Sequence, residues 1–132
     1  MKKSNKIIYW ISTIWLASGM IAGGVQQVFH AKTFDDMMVH LGYPLYFLYI
    51  LGIWKILGTI AILIPSFNLL KEWAYAGFFF AMSGAVFSHL ALGDPINETA
   101  PSLVLLILTI LSWYFRPVNR RMISLSQLNE IK

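Results

Sequence analysis

Four long apolar stretches separated by short polar segments make up most of the chain, at about residues 7–25, 44–63, 70–92 and 102–115. Their lengths and apolarity indicate helices that cross a membrane. The loop between the first two stretches contains four apolar residues at the spacing i, i+3, i+4, i+7: Phe34, Met37, Met38 and Leu41. That spacing is typical of an amphipathic helix. The pattern therefore predicts an all-α fold, a four-transmembrane-helix bundle with a short amphipathic surface helix between spans 1 and 2.

The amphipathic segment carries its own start and stop signals. Thr33 and Asp36 have the spacing of a capping box, and Gly42 is a typical residue just past a helix end. Such a helix could act as a lid over a cavity. In the simpler alternative, the segment is a loop that only buries its apolar side among the lipid headgroups.

The composition is that of one integral membrane domain. Hydrophobic residues make up 58% of the chain and charged residues 12%, and the mean hydropathy is +0.65. A soluble domain is about twice as charged. We expect the membrane domain to cover residues 1–116 and a cytoplasmic tail to cover residues 117–132. The absence of cysteine excludes thiol–disulfide exchange, Fe–S clusters and thiolate zinc sites, so any redox role would need a bound organic cofactor or a partner.

The basic residues predict the orientation in the membrane. Outside the spans, one side of the membrane would receive nearly all of them: Lys2, Lys3, Lys6, Lys71, Arg116, Arg120, Arg121 and Lys132. The other side would receive only Lys32. Because cytoplasmic segments are enriched in Lys and Arg, we expect a multi-pass protein of the plasma (inner) membrane with both termini cytoplasmic. The same distribution explains the net charge of +4 without nucleic-acid binding. The N-terminus, which is basic and then apolar, also resembles a signal peptide. Because three further spans follow it, we interpret it as the first transmembrane helix instead.

Lys55 is the charge that stands out, because it lies near the middle of an otherwise uncharged run at residues 44–65. A charged side chain there costs roughly 2.5 to 3.5 kcal/mol on insertion scales, so it should face the protein interior or reach a membrane surface. Helical projection places Gly52 and Thr59 on the same face. Lys55 is either a structural lysine bonded to carbonyls and hydroxyls or a cation that binds a ligand. We take Lys55, Gly52, Thr59 and His89 as the candidate ligand-binding residues.

Small residues indicate where helices pack closely. In span 3 they recur every three or four residues, at Ala74, Gly77, Ala81, Gly84, Ser88 and Ala91. We interpret this stripe as a packing seam, with Gly77 and Gly84 as structural residues. Gly19 and Gly23 form a GxxxG motif in span 1 that should also allow close backbone packing. If the seam packs on another helix, Glu72 is the nearest acidic residue that could pair with Lys55.

The predicted topology sends the histidines to the outer side with most of the acidic residues: His30, His40, His89, Asp35, Asp36, Asp94 and Glu98. They could bind a divalent metal or relay protons. No two of the histidines have the i, i+4 spacing of a helical metal site, and the groups come from loops, so we predict no metal and expect hydrogen bonds to loop backbone instead. His89 is the best functional candidate. The chain contains no nucleotide-binding loop, serine nucleophile elbow, paired intramembrane carboxylates or HExxH motif, and we assign no catalytic residue.

Three motifs resemble those of the DoxX-like family of small four-helix membrane proteins: LGIWKILG at residues 51–58, KEWAYAG at residues 71–77 and SHLALGD at residues 88–94. The resemblance extends over about residues 6–116. It implies a four-helix transmembrane bundle and carries over Lys55, Glu72, His89 and Asp94 as motif residues. Better-studied relatives are linked to quinone-dependent sulfur oxidation and to membrane oxidoreductase complexes, which makes a quinone the candidate cofactor, although the sequence itself identifies none.

We therefore expect a non-catalytic subunit or accessory protein that binds a quinone-like or other lipophilic small molecule for a membrane redox partner. Its partners would be the lipid bilayer and a membrane oxidoreductase. Whether the protein forms a homo-oligomer stays open. Two alternatives remain, a small carrier or channel and a structural membrane interaction module. A carrier usually shows repeated halves and broken spans, neither of which is evident here. A structural module would not need Lys55.

Overall fold

A computed structural model describes residues 3–117 and residue 120. This part of the chain is all-helical, as predicted. It contains five α-helices: α1 (Lys3–Val28), α2 (Lys32–Leu41), α3 (Phe47–Leu63), α4 (Asn68–Ala91) and α5 (Ile96–Tyr114). The tail predicted from residue 117 onwards, with its apolar Met122, Leu125, Leu128 and Ile131, lies outside the described residues except for Pro117 and Arg120.

Three of these helices, α1, α4 and α5, are long and apolar enough to cross a membrane. The predicted second span, residues 44–63, corresponds to α3, which is the most apolar helix but has only 17 residues. At 1.5 Å per residue it is about 26 Å long, whereas a bilayer core is about 30 Å thick. The α5 helix begins six residues before the predicted start at residue 102, so that Pro101 lies inside it.

The four long helices pack side by side in a closed ring. Each contacts two neighbours, in the order α1, α3, α4, α5 and back to α1. Because they alternate in direction, the N-terminus of α1 and the C-terminus of α5 lie at the same end, which we call the terminal end. The short helix α2 contacts α1 and α3 and connects them across the opposite end.

The hydrophobic core occupies the half of the ring nearer the terminal end. Its buried residues come from all four long helices: Leu16, Met20, Ile62, Tyr75, Phe78, Met82 and Leu108. Beside them is a buried chain of hydroxyl groups, in which Ser112 Oγ lies 2.6 Å from Thr13 Oγ1 and 2.8 Å from the Tyr75 hydroxyl. Each hydroxyl therefore has a partner, as burial in an apolar region requires.

The closest contact between helices joins α1 to α3. A Cβ placed on Gly52 would lie 2.7 Å from the carbonyl oxygen of Gly24 and 2.7 Å from Cγ2 of Val28. Such a distance between backbones requires glycine at both positions. The predicted GxxxG motif is not this contact. Gly19 packs against the side chain of Leu105, and the backbone approach occurs at Gly24, next to Gly23.

The predicted packing seam on span 3 is wrong for Gly77 and Gly84. Both are exposed, and a Cβ placed on either would meet nothing within 4 Å. Only Ala74 and Ala81 of the stripe pack against the core. A helix rotates by about 100° per residue, so the regular stripe extends from the core side of α4 onto its outer surface.

The pairing considered between Glu72 and Lys55 is also wrong. Glu72 lies near the terminal end and forms an ion pair with Arg116, while its second carboxylate oxygen accepts a hydrogen bond from Trp113 Nε1 at 3.1 Å. Lys71, beside it, is 1% exposed and donates to the carbonyl oxygens of Ala61 and Ile64. A cation at the C-terminus of α3 satisfies carbonyls that the helix leaves unbonded.

The α2 helix confirms the predicted amphipathic segment and corrects its start. It begins at Lys32 after Ala31, with no side-chain capping bond, so Thr33 does not form the predicted capping box. It ends as predicted at Gly42, which adopts the left-handed conformation with φ 83°. Only glycine reaches that conformation without strain, so Gly42 stops the helix cleanly.

Candidate functional site

A cavity of about 600 Å³ occupies the half of the ring away from the terminal end. All five helices contribute to its walls. The apolar face of α2 covers it, because all four residues of the predicted amphipathic spacing line it: Phe34, Met37, Met38 and Leu41. This placement favours the lid interpretation of the segment over the headgroup interpretation. We call this space the lidded cavity.

Lys55 lies in the wall of the lidded cavity. Its Nζ would be 3.8 Å from a Cβ on Gly23, so the ammonium group lies beside α1. Within the described residues, no hydrogen bond or ion pair engages this ammonium group. Thr59, which could have been its partner, donates instead to the backbone carbonyl of Lys55 at 2.7 Å. The lysine therefore carries an unpaired cation on a largely apolar surface, which is costly unless something else binds it.

Gln27 is the second unsatisfied polar group of the same cavity. Its side chain is 4% exposed, and its Oε1 has no hydrogen-bond partner among the described residues. A buried polar atom without a partner costs about 1 to 3 kcal/mol. Together with Lys55, it indicates a place where a polar ligand atom or an ordered water would be bound.

A carboxylate links the wall of the cavity to its lid. His89, 2% exposed, lines the cavity and places Nδ1 2.7 Å from one oxygen of Asp94. His40, in the last turn of α2, places Nε2 2.7 Å from the other oxygen. Nearby, the Tyr43 hydroxyl lies 2.7 Å from Ser88 Oγ. We call the His40–Asp94 and Tyr43–Ser88 contacts the latch, because they hold the C-terminal end of α2 on the end of α4.

The latch has the electrostatics of an ion pair. The hydrogen bond to Asp94 and its negative charge raise the pKa of His40, and the hydrogen bonds from His40 and His89 lower the pKa of Asp94. The predicted bonds to loop backbone are thus replaced by bonds among the acidic and basic side chains themselves. Glu98 completes this cluster, since one ligand atom from each of His40, Asp94 and Glu98 lies within 4.8 Å of the others. One imidazole and two carboxylates form a set that divalent metals accept.

The cavity and its latch are built from the regions that a known family shares. A family model described as the DoxX-like family matches residues 11–112. The chain belongs to the DoxX-like family. It is therefore a membrane protein, in agreement with its three long apolar helices. No curated protein and no solved structure matches the chain.

The structure separates the motif residues of this DoxX-like protein into two groups. Lys55 and His89 line the lidded cavity, and Asp94 binds His89 beside it. Glu72 lies at the terminal end, away from the cavity, in its ion pair with Arg116. The motif residues therefore do not form a single site.

Two of the four candidate ligand-binding residues do not reach the cavity. Gly52 packs against Gly24 of α1, and Thr59 is 1% exposed and bonded within α3. Sequence reasoning missed Gln27 of this DoxX-like protein. The sequence did contain a feature that could have identified it, because Gln27 follows Gly23 by one helical turn and is an amide at the end of an apolar helix.

Proposed function

We propose that this DoxX-like protein is a non-catalytic membrane subunit or accessory protein. It binds a quinone-like lipophilic molecule in the lidded cavity, for use by a membrane redox partner. The observation that carries the proposal is the ammonium group of Lys55, which lines this cavity and has no hydrogen-bond or ion-pair partner in the described part of the chain. An ammonium group donates three hydrogen bonds and accepts none, so its ligand must offer an acceptor oxygen.

The other residues that line the cavity indicate the polarity and the size of the ligand. Most of the lining is apolar, with side chains such as Phe34, Met37 and Leu51, which favours a lipophilic body. The Gln27 amide can both donate to and accept from a polar head. His89 uses Nδ1 for Asp94, so its Nε2 is the ring nitrogen that can serve a ligand. The volume lies within the range of about 300 to 1,000 Å³ that small-molecule sites occupy. A quinone head, with its carbonyl oxygens, fits these residues.

We further propose that α3 also crosses the membrane, as span 2 of four, and that both termini are cytoplasmic. The position of α3 in the ring between α1 and α4 supports this topology, as does the concentration of basic residues at the terminal end. Lys55 is eight residues from either end of α3, or about 12 Å. A reporter fused after Asn68 should be active only in the cytoplasm, and one fused after Glu98 only outside. Cytoplasmic activity of the Glu98 fusion would contradict the proposed topology.

The binding proposal is tested by Lys55→Met, which keeps the length of the side chain and removes its charge. The purified protein in mild detergent is titrated with a dimethoxy-methyl-benzoquinone bearing a decyl tail, and the melting temperature is followed. The quinone should stabilise the wild-type protein, because a ligand that binds only the folded state raises its stability. Lys55→Met should fold with equal or greater stability and lose this stabilisation.

Lys6→Met is the matched control, since Lys6 is exposed at the N-terminal end of α1. It should respond to the quinone as the wild type does. If Lys55→Met binds the quinone with unchanged affinity, the lysine is structural and the proposed site is wrong.

A further inference from the structure

The lidded cavity extends to the outer surface of α4. Gly84 lines the cavity and is also exposed, with open space where its Cβ would be. Phe80, one turn earlier, lines the cavity as well and is 70% exposed. A phenylalanine side chain that is 70% exposed lies on the outer surface of the bundle, so the cavity that it lines reaches that surface. The lidded cavity is therefore open on the side of the bundle where Gly84 lies.

The opening lies between α3 and α4. Near the terminal end these helices are in close contact, since a Cβ on Gly58 would lie 2.7 Å from the ring of Phe78. Toward the lid, four of the lining residues on α4 are small, and the lining residues on α3 include the larger Phe47 and Leu51. They define what we call the window: Ala81, Gly84, Ala85 and Ser88 of α4 with Phe47 and Leu51 of α3. The Tyr43–Ser88 bond limits the window at the lid end.

The position of the window along α4 places it inside the bilayer. Gly84 is seven residues from the end of α4 at Ala91, which corresponds to about 10 Å. The surface around it is apolar, with Phe80 and Phe87 both highly exposed. At the aqueous end, the latch holds α2 over the cavity. The window therefore opens to lipid. The cavity also reaches the surface beside the lid, where the lining residues Thr33 and Glu98 are exposed.

We infer that the window is the route by which the ligand enters from the bilayer and through which its tail remains in the lipid. This inference rests on the proposed function and narrows its ligand class. The Lys55 ammonium group and the Gln27 Oε1, which have no partner among residues 3–117 and 120, belong to the cavity lining, and the surroundings of the window are apolar. The ligand is thus an amphiphile with a hydrogen-bond-accepting head, which is bound inside, and a long apolar tail, which leaves between α3 and α4.

Two glycines of the same helix face provide a matched test. Gly84→Leu places a branched side chain in the window, whereas Gly77→Leu places one two turns away, outside the cavity lining. Neither substitution meets a neighbour within 4 Å of the new Cβ, so neither should impair folding. Binding is measured in mild detergent with two probes, the dimethoxy-methyl-benzoquinone ring alone and the same ring with a decyl tail.

Gly84→Leu should weaken binding of the tailed probe at least tenfold and leave binding of the bare ring within twofold of wild type. Gly77→Leu should bind both probes as the wild type does. If Gly84→Leu binds the tailed probe as tightly as the wild type does, the ligand tail does not pass through the window. The same conclusion follows if the variant loses affinity for both probes equally. If the wild type binds neither probe, the proposed function itself fails.

A second measurement uses the unaltered protein and so does not depend on a variant that folds. A tailed probe with a diazirine at the end of its tail is photoactivated, and the labelled peptides are mapped. Labelling should concentrate on the segments that contain Leu51 and Phe80. Labelling of the α2 segment instead would mean that the tail lies under the lid, and the window would be rejected.

Discussion

Gly52→Ala adds one methyl group where the backbones of α1 and α3 are closest. The new Cβ would be 2.7 Å from the carbonyl oxygen of Gly24 and 3.1 Å from the backbone nitrogen of Val28. Real Cβ atoms essentially never come within 3.0 Å of such atoms. Backbone cannot rotate away as the end of a flexible side chain can. The two helices must therefore separate by several tenths of an ångström, and the contacts on both sides of the glycine pair weaken.

The expected magnitude follows from two opposing effects. Overpacking a tight contact costs typically about 1 to 3 kcal/mol, and contact with backbone places this case toward the upper end. Alanine in a helix interior is favoured over glycine by roughly 0.5 to 1 kcal/mol. Gly52→Ala should therefore lower the free energy of unfolding by about 1 to 2 kcal/mol. Gly77→Ala, which meets nothing within 4 Å, should raise it by up to about 1 kcal/mol.

The free energy of unfolding is measured for wild type and both variants by titration with sodium dodecyl sulfate in mixed micelles. Gly24→Ala, whose Cβ would lie 2.9 Å from the Gly52 carbonyl oxygen, should reproduce the effect from the other helix. Equal stability of Gly52→Ala and Gly77→Ala would refute the reasoning. Normal stability of Gly52→Ala combined with lost quinone binding would show instead that Gly52 belongs to the ligand site.

Two further predictions concern the lid and the ion pairs. Because the pKa of His40 is raised and that of Asp94 is lowered, the latch should stabilise the closed lid fully at pH values between the ordinary pKa of aspartate and the ordinary pKa of histidine. This stabilisation should be lost as pH rises through the raised pKa of His40, and also as pH falls through the lowered pKa of Asp94. A thiol introduced by Met38→Cys, buried under the lid, should then be labelled faster at alkaline pH. Glu72→Gln and Lys55→Met should change the free energy of unfolding additively, within about 0.5 kcal/mol, because these residues do not share a partner.

Each of these predictions has an internal control. The chain has no cysteine, so Val39→Cys, at an exposed position of α2, corrects the labelling rate for ionisation of the thiol itself. If the corrected rate at Met38→Cys does not depend on pH, the latch does not hold the lid. If the effect of the double variant on the free energy of unfolding differs from the sum of the two single effects by well over about 0.5 kcal/mol, Glu72 and Lys55 do interact.

The sequence by itself determined the helices and the unusual charge. The length and apolarity of each stretch decide whether it forms a long helix, and the spacing from Phe34 to Leu41 decides which face of α2 is apolar. These are properties of one segment, which depend on its own backbone hydrogen bonds and on the cost of apolar surface in water. The isolation of Lys55 in an uncharged run is of the same kind, because no other segment needs to be known to recognise it.

Only the tertiary structure decided what each small or polar residue contacts. Glycine is compatible with a close helix contact, an open surface or a cavity wall, so the sequence could not distinguish Gly52 from Gly77 or Gly84. Likewise, Glu72 could reach several cations until the rotation of α4 and α5 placed it beside Arg116. The lidded cavity exists because side chains from all four long helices fill the core but leave space beyond it, and α2 covers that space. That arrangement depends on the rotation and register of all the helices together, and no single stretch of sequence specifies them.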